Sequence, residues 1–334
     1  MSVTIEAYAS ADALAPADLT AATAIFNAAW ADWVPGERPM SEAAFADQER
    51  FVHAPEVQLR FLARDDRGGV VGLGSVSWRD PEPEPGGGIA RVMVAPAARG
   101  AGVGSAMTRH LVEVSRDRKR IGMTIEAPLA SEADAMCERA GLRPDLVIDL
   151  NRADTSFATD DLLDSWIAAG EAATGYSLVA YDGGVPDELL HGFVAARHIM
   201  NDAPRYGDEP ESEFTAAELR AAEAAGAAAR QDWWGLGVRH DPSGEIVGLS
   251  DLFLPTSRPW IGFQGDTGVA GPHRGHGLGA WMKATNHKRL RRERPEVELL
   301  QTWNASSNAP MLRINHALGY AAVRQIRAWS LPFT

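Results

Sequence analysis

Apolar and polar residues alternate at Val3, Ile5 and Ala7, which predicts a first strand. The period then changes, because Leu19, Ala22, Ile25, Phe26 and Ala29 share one face of a helix over residues 18–33. Pro35, Gly36 and Pro39 end that helix, and Ser41 opens a second, shorter one carrying Phe45 and Phe51. Strands follow at 57–63 and 70–78 around the turn Asp65-Asp66-Arg67-Gly68-Gly69, and an apolar strand at 89–94 runs into a glycine-rich turn. Val103, Met107, Leu111 and Val114 then recur at helical spacing, followed by a strand at 123–127, a helix at 132–139 stopped by Gly141, and a closing strand at 146–150.

The same order repeats. After an Asp-rich stretch, 151–175, expected to be a linker, the pattern predicts a strand at 177–181, helices at 187–200 and 215–230, and strands at 233–239 and 246–254. A strand at 260–270 enters a second glycine turn. Beyond it come a helix carrying Leu278, Met282 and Leu290, a strand at 297–303, a helix at 309–318 stopped by Gly319, and final strands from Tyr320. Arg99, Gly102 and Gly104 stand 175 residues before Arg274, Gly277 and Gly279, so one unit has been used twice. The expected organisation is α+β: two tandem domains, 1–150 and 176–334, each a mixed, mostly antiparallel sheet flanked by helices.

At a strand-to-helix turn, glycines let the backbone bend tightly and approach a ligand with no Cβ in the way. Their N–H groups and those of the first helical turn then face one point, which favours an anion. The amides of residues 276–280 and 101–106 would surround such points, with Arg274 and Arg99 adding positive charge suited to phosphate. Neither copy has the Lys-Ser/Thr of a Walker loop. Both follow the fourth strand rather than the first, which argues against a dinucleotide fingerprint.

Composition narrows the setting. The 334 residues are 45% hydrophobic and 23% charged, an ordinary globular balance, and a formal net charge of −13 argues against nucleic-acid or membrane-surface partners. An acidic surface tolerates a cationic partner, although it also serves solubility alone. Cys137 is the single cysteine, which excludes an intrachain disulfide. With neither a basic-then-apolar leader nor an apolar run of about 18 residues, a cytoplasmic monomer or homodimer is expected. His273 and His276 flank Arg274 without a third ligand at a suggestive spacing, so no metal is expected.

Each turn, Val94 to Ser105 and Val269 to Ala280, resembles the coenzyme A pyrophosphate loop of the GNAT acetyltransferase superfamily, whose pattern is Arg or Gln, two residues, Gly, one residue, then Gly or Ala. The resemblance covers nearly the whole chain as a tandem pair. It implies acetyl transfer from acetyl-CoA to a primary amine of a small molecule by direct attack. It also implies coenzyme contacts from Val269, Arg274, Gly275, His276, Gly277, Leu278, Gly279 and Ala280, and from Val94, Arg99, Gly100, Ala101, Gly102, Val103, Gly104 and Ser105.

Asn304 and Asn308 take positions that flank the pantetheine arm in such proteins, or else cap a helix; the first copy has no Asn there. Asp266, three residues before Val269, is a candidate base or a solvated aspartate, and its counterpart is Arg91. The usual acid, a tyrosine four residues before the helix-ending glycine, is replaced by Asn315 and Cys137. Tyr320 has the right chemistry for an acid, or is a core strand residue. In the acidic loop 201–213, Asp202, Tyr206 and Glu209 are candidate acceptor contacts, with Trp234 and Trp233 as pocket walls or core. Lys283, His287, Lys288, Arg289, Arg291, Arg292 and Arg294 make a basic helix that would reach the 3′-phosphate or remain a solvated face. The second domain is the expected catalytic half. The alternatives are a non-catalytic acyl-CoA sensor and an active first domain.

Overall fold

A computed structural model describes residues 2–34, 36–52, 56–80, 86–204, 211 and 213–333. They form two compact units, Met1–Ile148 with Arg324–Thr334, and Asp149–Arg205 with Glu211–Val323.

The first unit runs β1 (Thr4–Tyr8), α1 (Pro16–Trp33), α2 (Glu42–Arg50), β2 (Glu56–Arg64), β3 (Val70–Arg79), β4 (Gly88–Val94), α3 (Val103–Asp117), β5 (Gly122–Pro128), α4 (Glu132–Arg139) and the first half of β6 (Arg143–Asp154). Strands β1 to β4 pair antiparallel in order, and β4 and β5 pair parallel. Asp65 closes the β2–β3 hairpin by accepting from the N–H groups of Arg67 and Gly69 at 3.0 and 2.8 Å. Alternation along the strands divides the core. Phe61, Ala63 and Val76 face Val103, Met107 and Leu111 of α3, while Leu62 and Leu73 face Ile25, Phe26 and Phe45. Gly74 lets α3 approach closely, because a Cβ there would lie 2.3 Å from Met107 Sδ.

The second unit holds the end of β6, then α5 (Asp160–Glu171), β7 (Tyr176–Asp182), α6 (Leu190–Arg197), α7 (Ala216–Ala228), β8 (Gln231–His240), β9 (Glu245–Pro255), β10 (Ile261–Val269), α8 (Leu278–Glu293), β11 (Leu299–Ala305), α9 (Ala309–Ala317) and the start of β12 (Ala321–Pro332). Strands β7 to β10 pair antiparallel and β10 pairs parallel with β11, beyond which lies β6. Helices α6 and α7 cover one face through Phe193 and Leu219; α5 and α8 cover the other through Leu163, Ala284 and Leu290.

Two expectations change. Residues 151–175 are not a linker: they finish β6 and form α5, which Thr159 caps by accepting from Leu162 N–H at 3.2 Å. The aspartates that made this stretch read as linker stand in the first helical turn, where they favour the helix dipole. Its Leu163 is fully buried, and Gly170 lies so close to Trp281 that a Cβ would be 2.2 Å from the ring. The end of the chain forms one strand, Ala321–Pro332, rather than several from Tyr320, and its residues 326–332 pair antiparallel with β5 as part of the first unit.

Candidate functional site

Both glycine loops leave a strand through a short 3-10 turn and enter a helix in the same way. Gly100 and Gly102 have φ of +73° and +87°, Gly275 and Gly277 of +85° and +73°. Gly102 and Gly277 are the N-caps of α3 and α8, and neither helix has a side-chain cap. The first-turn amides, those of Val103, Gly104 and Ser105 and of Leu278, Gly279 and Ala280, therefore lack intrahelical partners. Among the described residues nothing lies within 4 Å of the place a Cβ would take on any of these four positive-φ glycines. An open cradle of N–H donors at a helix dipole suits a pyrophosphate. Val103 and Leu278 anchor the loops in the cores, 1% and 2% exposed.

The loop arginines brace these turns from within. Arg274 Nε donates to the Val269 carbonyl at 2.8 Å and its Nη2 meets Asp202 at 2.5 Å. Arg99 repeats the arrangement with the Val94 carbonyl at 3.4 Å and Asp32 at 2.6 Å. Asp202, expected as an acceptor contact, is thus the partner of a loop arginine. His276 Nδ1–H donates into the loop, 3.2 Å from the carbonyls of His273 and Arg274, and His273 Nδ1 is 3.0 Å from the Tyr176 hydroxyl.

The two seams between parallel strands differ. In the second unit β10 and β11 pair only from Ile261↔Leu299 to Phe263↔Gln301, then part. Asp266 and Asn304 each stand three residues past the last pair, on the two strands that part. Opposite β9 the chain of β10 bulges between Gln264 and Thr267. The Gln264 amide holds the bulge, its Nε2 donating to Asp251 O at 2.6 Å and reaching Ser250 Oγ and Thr267 Oγ1 at 3.3 Å. Across the seam, Thr302 Oγ1 donates to the Gln264 carbonyl at 3.0 Å. In the first unit β3 and β4 pair without a bulge, and one residue beyond the last parallel pair Arg91 meets Glu126 at 3.2 Å. Cys137, at the acid position, is a buried thiol pushed up to about 11 by burial and by Asp134.

Asp266 belongs to a network that sequence reading missed. Arg197 Nη1 bonds Asp251 at 2.6 Å and Asp266 at 2.9 Å. Asp251 is 1% exposed and also accepts from Trp233 Nε1 at 2.9 Å and the Tyr181 hydroxyl at 3.2 Å. Burial pushes the Asp251 carboxyl up and Arg197 pulls against it, while burial also raises the Tyr181 phenol. Asp266 is the half-exposed end of this cluster. Trp233 therefore lies in the Asp266 network. Its neighbour Trp234 projects into the α8-side core beneath Arg289, whose guanidinium carbon is 3.9 Å from the ring centre.

Behind Asn304 lies a second buried network. Asn304 Oδ1 accepts from Asn315 Nδ2 at 2.8 Å, and Asn315 Oδ1 accepts from Lys283 Nζ at 2.9 Å. Lys283 is 1% exposed with the Tyr320 ring 5.6 Å from its Nζ, and burial pushes its ammonium down to about 7. Burial, then Lys283 and Arg291, push His287 down to about 3. Tyr320, expected as an acid, is a core residue whose hydroxyl is enclosed without a partner, and burial raises its phenol. Asn308 caps α9, accepting from Met311 N–H at 3.4 Å.

The basic run on α8 does not form a phosphate-binding face. Lys283 and His287 are buried, Lys288 pairs with Asp164, Arg289 with Asp182 and Glu293, Arg291 with Asp160 and the Thr155 carbonyl, Arg292 with Glu293, and Arg294 with Asp232 and Glu296. Tyr206 and Glu209 fall outside the described residues. Among the described residues no group of three or more His, Cys, Asp or Glu side chains is placed to hold a metal, and no helix is long and apolar enough to cross a membrane.

Lys283 makes stability depend on pH. Its folded pKa of about 7 lies below the ordinary 10.5, so between those values the unfolded chain holds the extra proton and stability rises with pH. The contribution is full above 10.5 and lost as pH falls towards 7. Urea unfolding of the wild type should gain on Lys283→Met by up to about 4 kcal/mol between pH 7 and 10. Parallel pH profiles for the two proteins would contradict an uncompensated buried ammonium.

A mixed sheet whose parallel strands part beside a glycine loop at a helix N-terminus, built twice, is the tandem GNAT acetyltransferase fold. Residues 22–142 match the model of the acetyltransferase (GNAT) family. Across 99% of this chain the fold is similar to that of a tandem GNAT protein from the clavulanic acid biosynthesis pathway, solved without acetyl-CoA, at 22% identity and a TM-score of 0.77, covering 98% of that chain. It is also similar to a GCN5-related N-acetyltransferase from Sphaerobacter thermophilus, at 18% identity and a TM-score of 0.67 over 99% of this chain and 95% of that one. No curated protein sequence matches the chain.

Proposed function

We propose that the chain is an N-acetyltransferase that moves an acetyl group from acetyl-CoA to a primary amine of a small molecule, with the second unit as the catalytic half. The observation that carries this reading is the bulged, opened seam of β10 and β11, with Asp266 and Asn304 on the two strands just past the last pair. Acetyl-CoA supplies the activated acetyl thioester. The amides of Gly277 to Ala280 hold its pyrophosphate, the freed amides of β10 between Asp266 and Val269 face the thioester carbonyl, and Asp266 takes the amine proton directly or through water. The half-exposed carboxyl group of Asp266, held by Arg197, favours an acceptor that arrives as a cation.

A second reading makes the first unit catalytic, and the family match to residues 22–142 favours it. Against it stand the Arg91–Glu126 pair at the seam and the buried thiol at the acid position. Thiol release from acetyl-CoA over a panel of small amines tests the proposal: turnover with at least one amine is expected. Coenzyme binding with no turnover on any amine would make the chain an acyl-CoA sensor instead.

A further inference from the structure

We propose that Lys283 is a positioning residue for acyl transfer: through Asn315 it sets the direction of the Asn304 amide, so that Asn304 presents its N–H2 to the opened seam of β10 and β11 and donates to the departing sulfur. This rests on the second unit being the site.

The argument begins with hydrogen-bonding capacity. An ammonium has three donors and no acceptor, whereas a primary amide has an oxygen on one branch and an N–H2 on the other. Below pH 7, where Lys283 is an ammonium, its Nζ, 2.9 Å from Asn315, must therefore face the amide oxygen. That places the Asn315 N–H2 on the opposite branch, 2.8 Å from Asn304, which must in turn offer its own oxygen. The remaining branch of Asn304, its N–H2, lies away from Asn315 near the end of β11, where β10 and β11 have parted.

Two amides in a row have no preferred direction of their own, because both can turn over and keep the bond between them. Turned over, Asn304 would present a carbonyl oxygen, which repels a thiolate. Lys283 removes that alternative. Its burial makes sense in these terms, since no carboxylate pairs with it among the described residues. The groups that face it, Tyr320 and His287, supply no countercharge, because burial keeps the phenol un-ionised and the imidazole neutral.

The chemistry balances without a side-chain acid. The amine lone pair forms the C–N bond as the C–S bond breaks, and the electron pair leaves on sulfur. The sulfur accepts the Asn304 hydrogen bond and later takes a proton from water, while the amine proton goes to Asp266 or to water. This assigns a donor to the leaving group at the place where Asn315 stands instead of a tyrosine.

Lys283→Met keeps the length of the side chain and removes its donors. Calorimetry at pH 6, where Lys283 carries its proton, with coenzyme A and with desulfo-coenzyme A, which lacks the sulfur, reads the proposal without turnover. The wild type should prefer coenzyme A by about three- to tenfold, the size of one hydrogen bond to a neutral thiol. The variant should lose the preference to within twofold while binding desulfo-coenzyme A as before. Its kcat should fall by about 10- to 100-fold with KM within threefold, less than removing an oxyanion donor outright. Where the single variant fails to fold, Lys283→Met/Asn315→Leu, which orphans no buried atom at that contact, should give the same result. An unchanged preference for the thiol overturns the proposal, and so does equal weakening towards both analogues, which would mark Lys283 as merely structural. If the wild-type second unit binds neither analogue, the site assignment itself fails, and that result is distinct from both.

Discussion

Gly277→Val should abolish coenzyme A binding in the second unit, with affinity down by at least about a hundredfold and acetyl transfer falling in step. The residue holds φ at +73° as the N-cap of α8. A β-branched side chain there carries roughly 1–3 kcal/mol of backbone strain. The larger effect is on the ligand, because the Cβ and its methyls would fill the open space that the loop amides face. With no described neighbour within 4 Å to clash, the unit should still fold, and a thermal melt no more than about 10 °C below wild type would show that the loss lies in binding. Gly102→Val makes the same change in the first unit. Coenzyme titrations of the two variants decide between the halves: full turnover in Gly277→Val and none in Gly102→Val would move catalysis to the first unit.

Arg197→Met should cost about 3–5 kcal/mol, because it leaves Asp251 buried without its cation. At roughly 2–4 °C per kcal/mol for a unit of this size, the second unit should melt about 10 °C lower. Asp251→Asn in the same chain keeps an acceptor for the Tyr181 hydroxyl and Trp233 Nε1 while removing the stranded charge. The double variant should therefore recover more than half of the loss by calorimetry. A single variant melting within about 2 °C of wild type would mean that Asp251 is protonated in the native protein and needs no cation. Acetyl transfer should stay low in both variants, since Asp266 loses the guanidinium that holds it at 2.9 Å.

The repeat and its glycines were legible in the sequence because the constraint is local: a strand-to-helix turn at positive φ admits glycine, and two such turns at one offset identify each other. The Asn308 cap was legible as one of two readings for the same reason. Contacts set by tertiary folding were not. Hydrophobic period shows that Tyr320 adjoins a helix stop, but not that the helix carrying Lys283 and His287 encloses its hydroxyl. Arg197 lies 69 residues from Asp266, and nothing in its own surroundings marks it as the residue that joins two carboxylates. Asp202 was read from its acidic loop, although its partner, Arg274, lies on the glycine turn. The stretch around Leu163 misled through composition: aspartates that favour the start of a helix also read as a solvated linker.

Residues 326–332 of β12 complete the sheet of the first unit by pairing with β5. On the ribosome this sets an order of events. The first glycine loop and its helix are made early, but the β5 edge waits for its neighbour while residues 149–323 are synthesised, roughly ten to thirty-five seconds at ordinary elongation rates. Through that interval the nascent chain carries an open strand edge, the kind of surface that recruits chaperones or aggregates. A premature stop near residue 323 would therefore injure the half of the protein that was translated first.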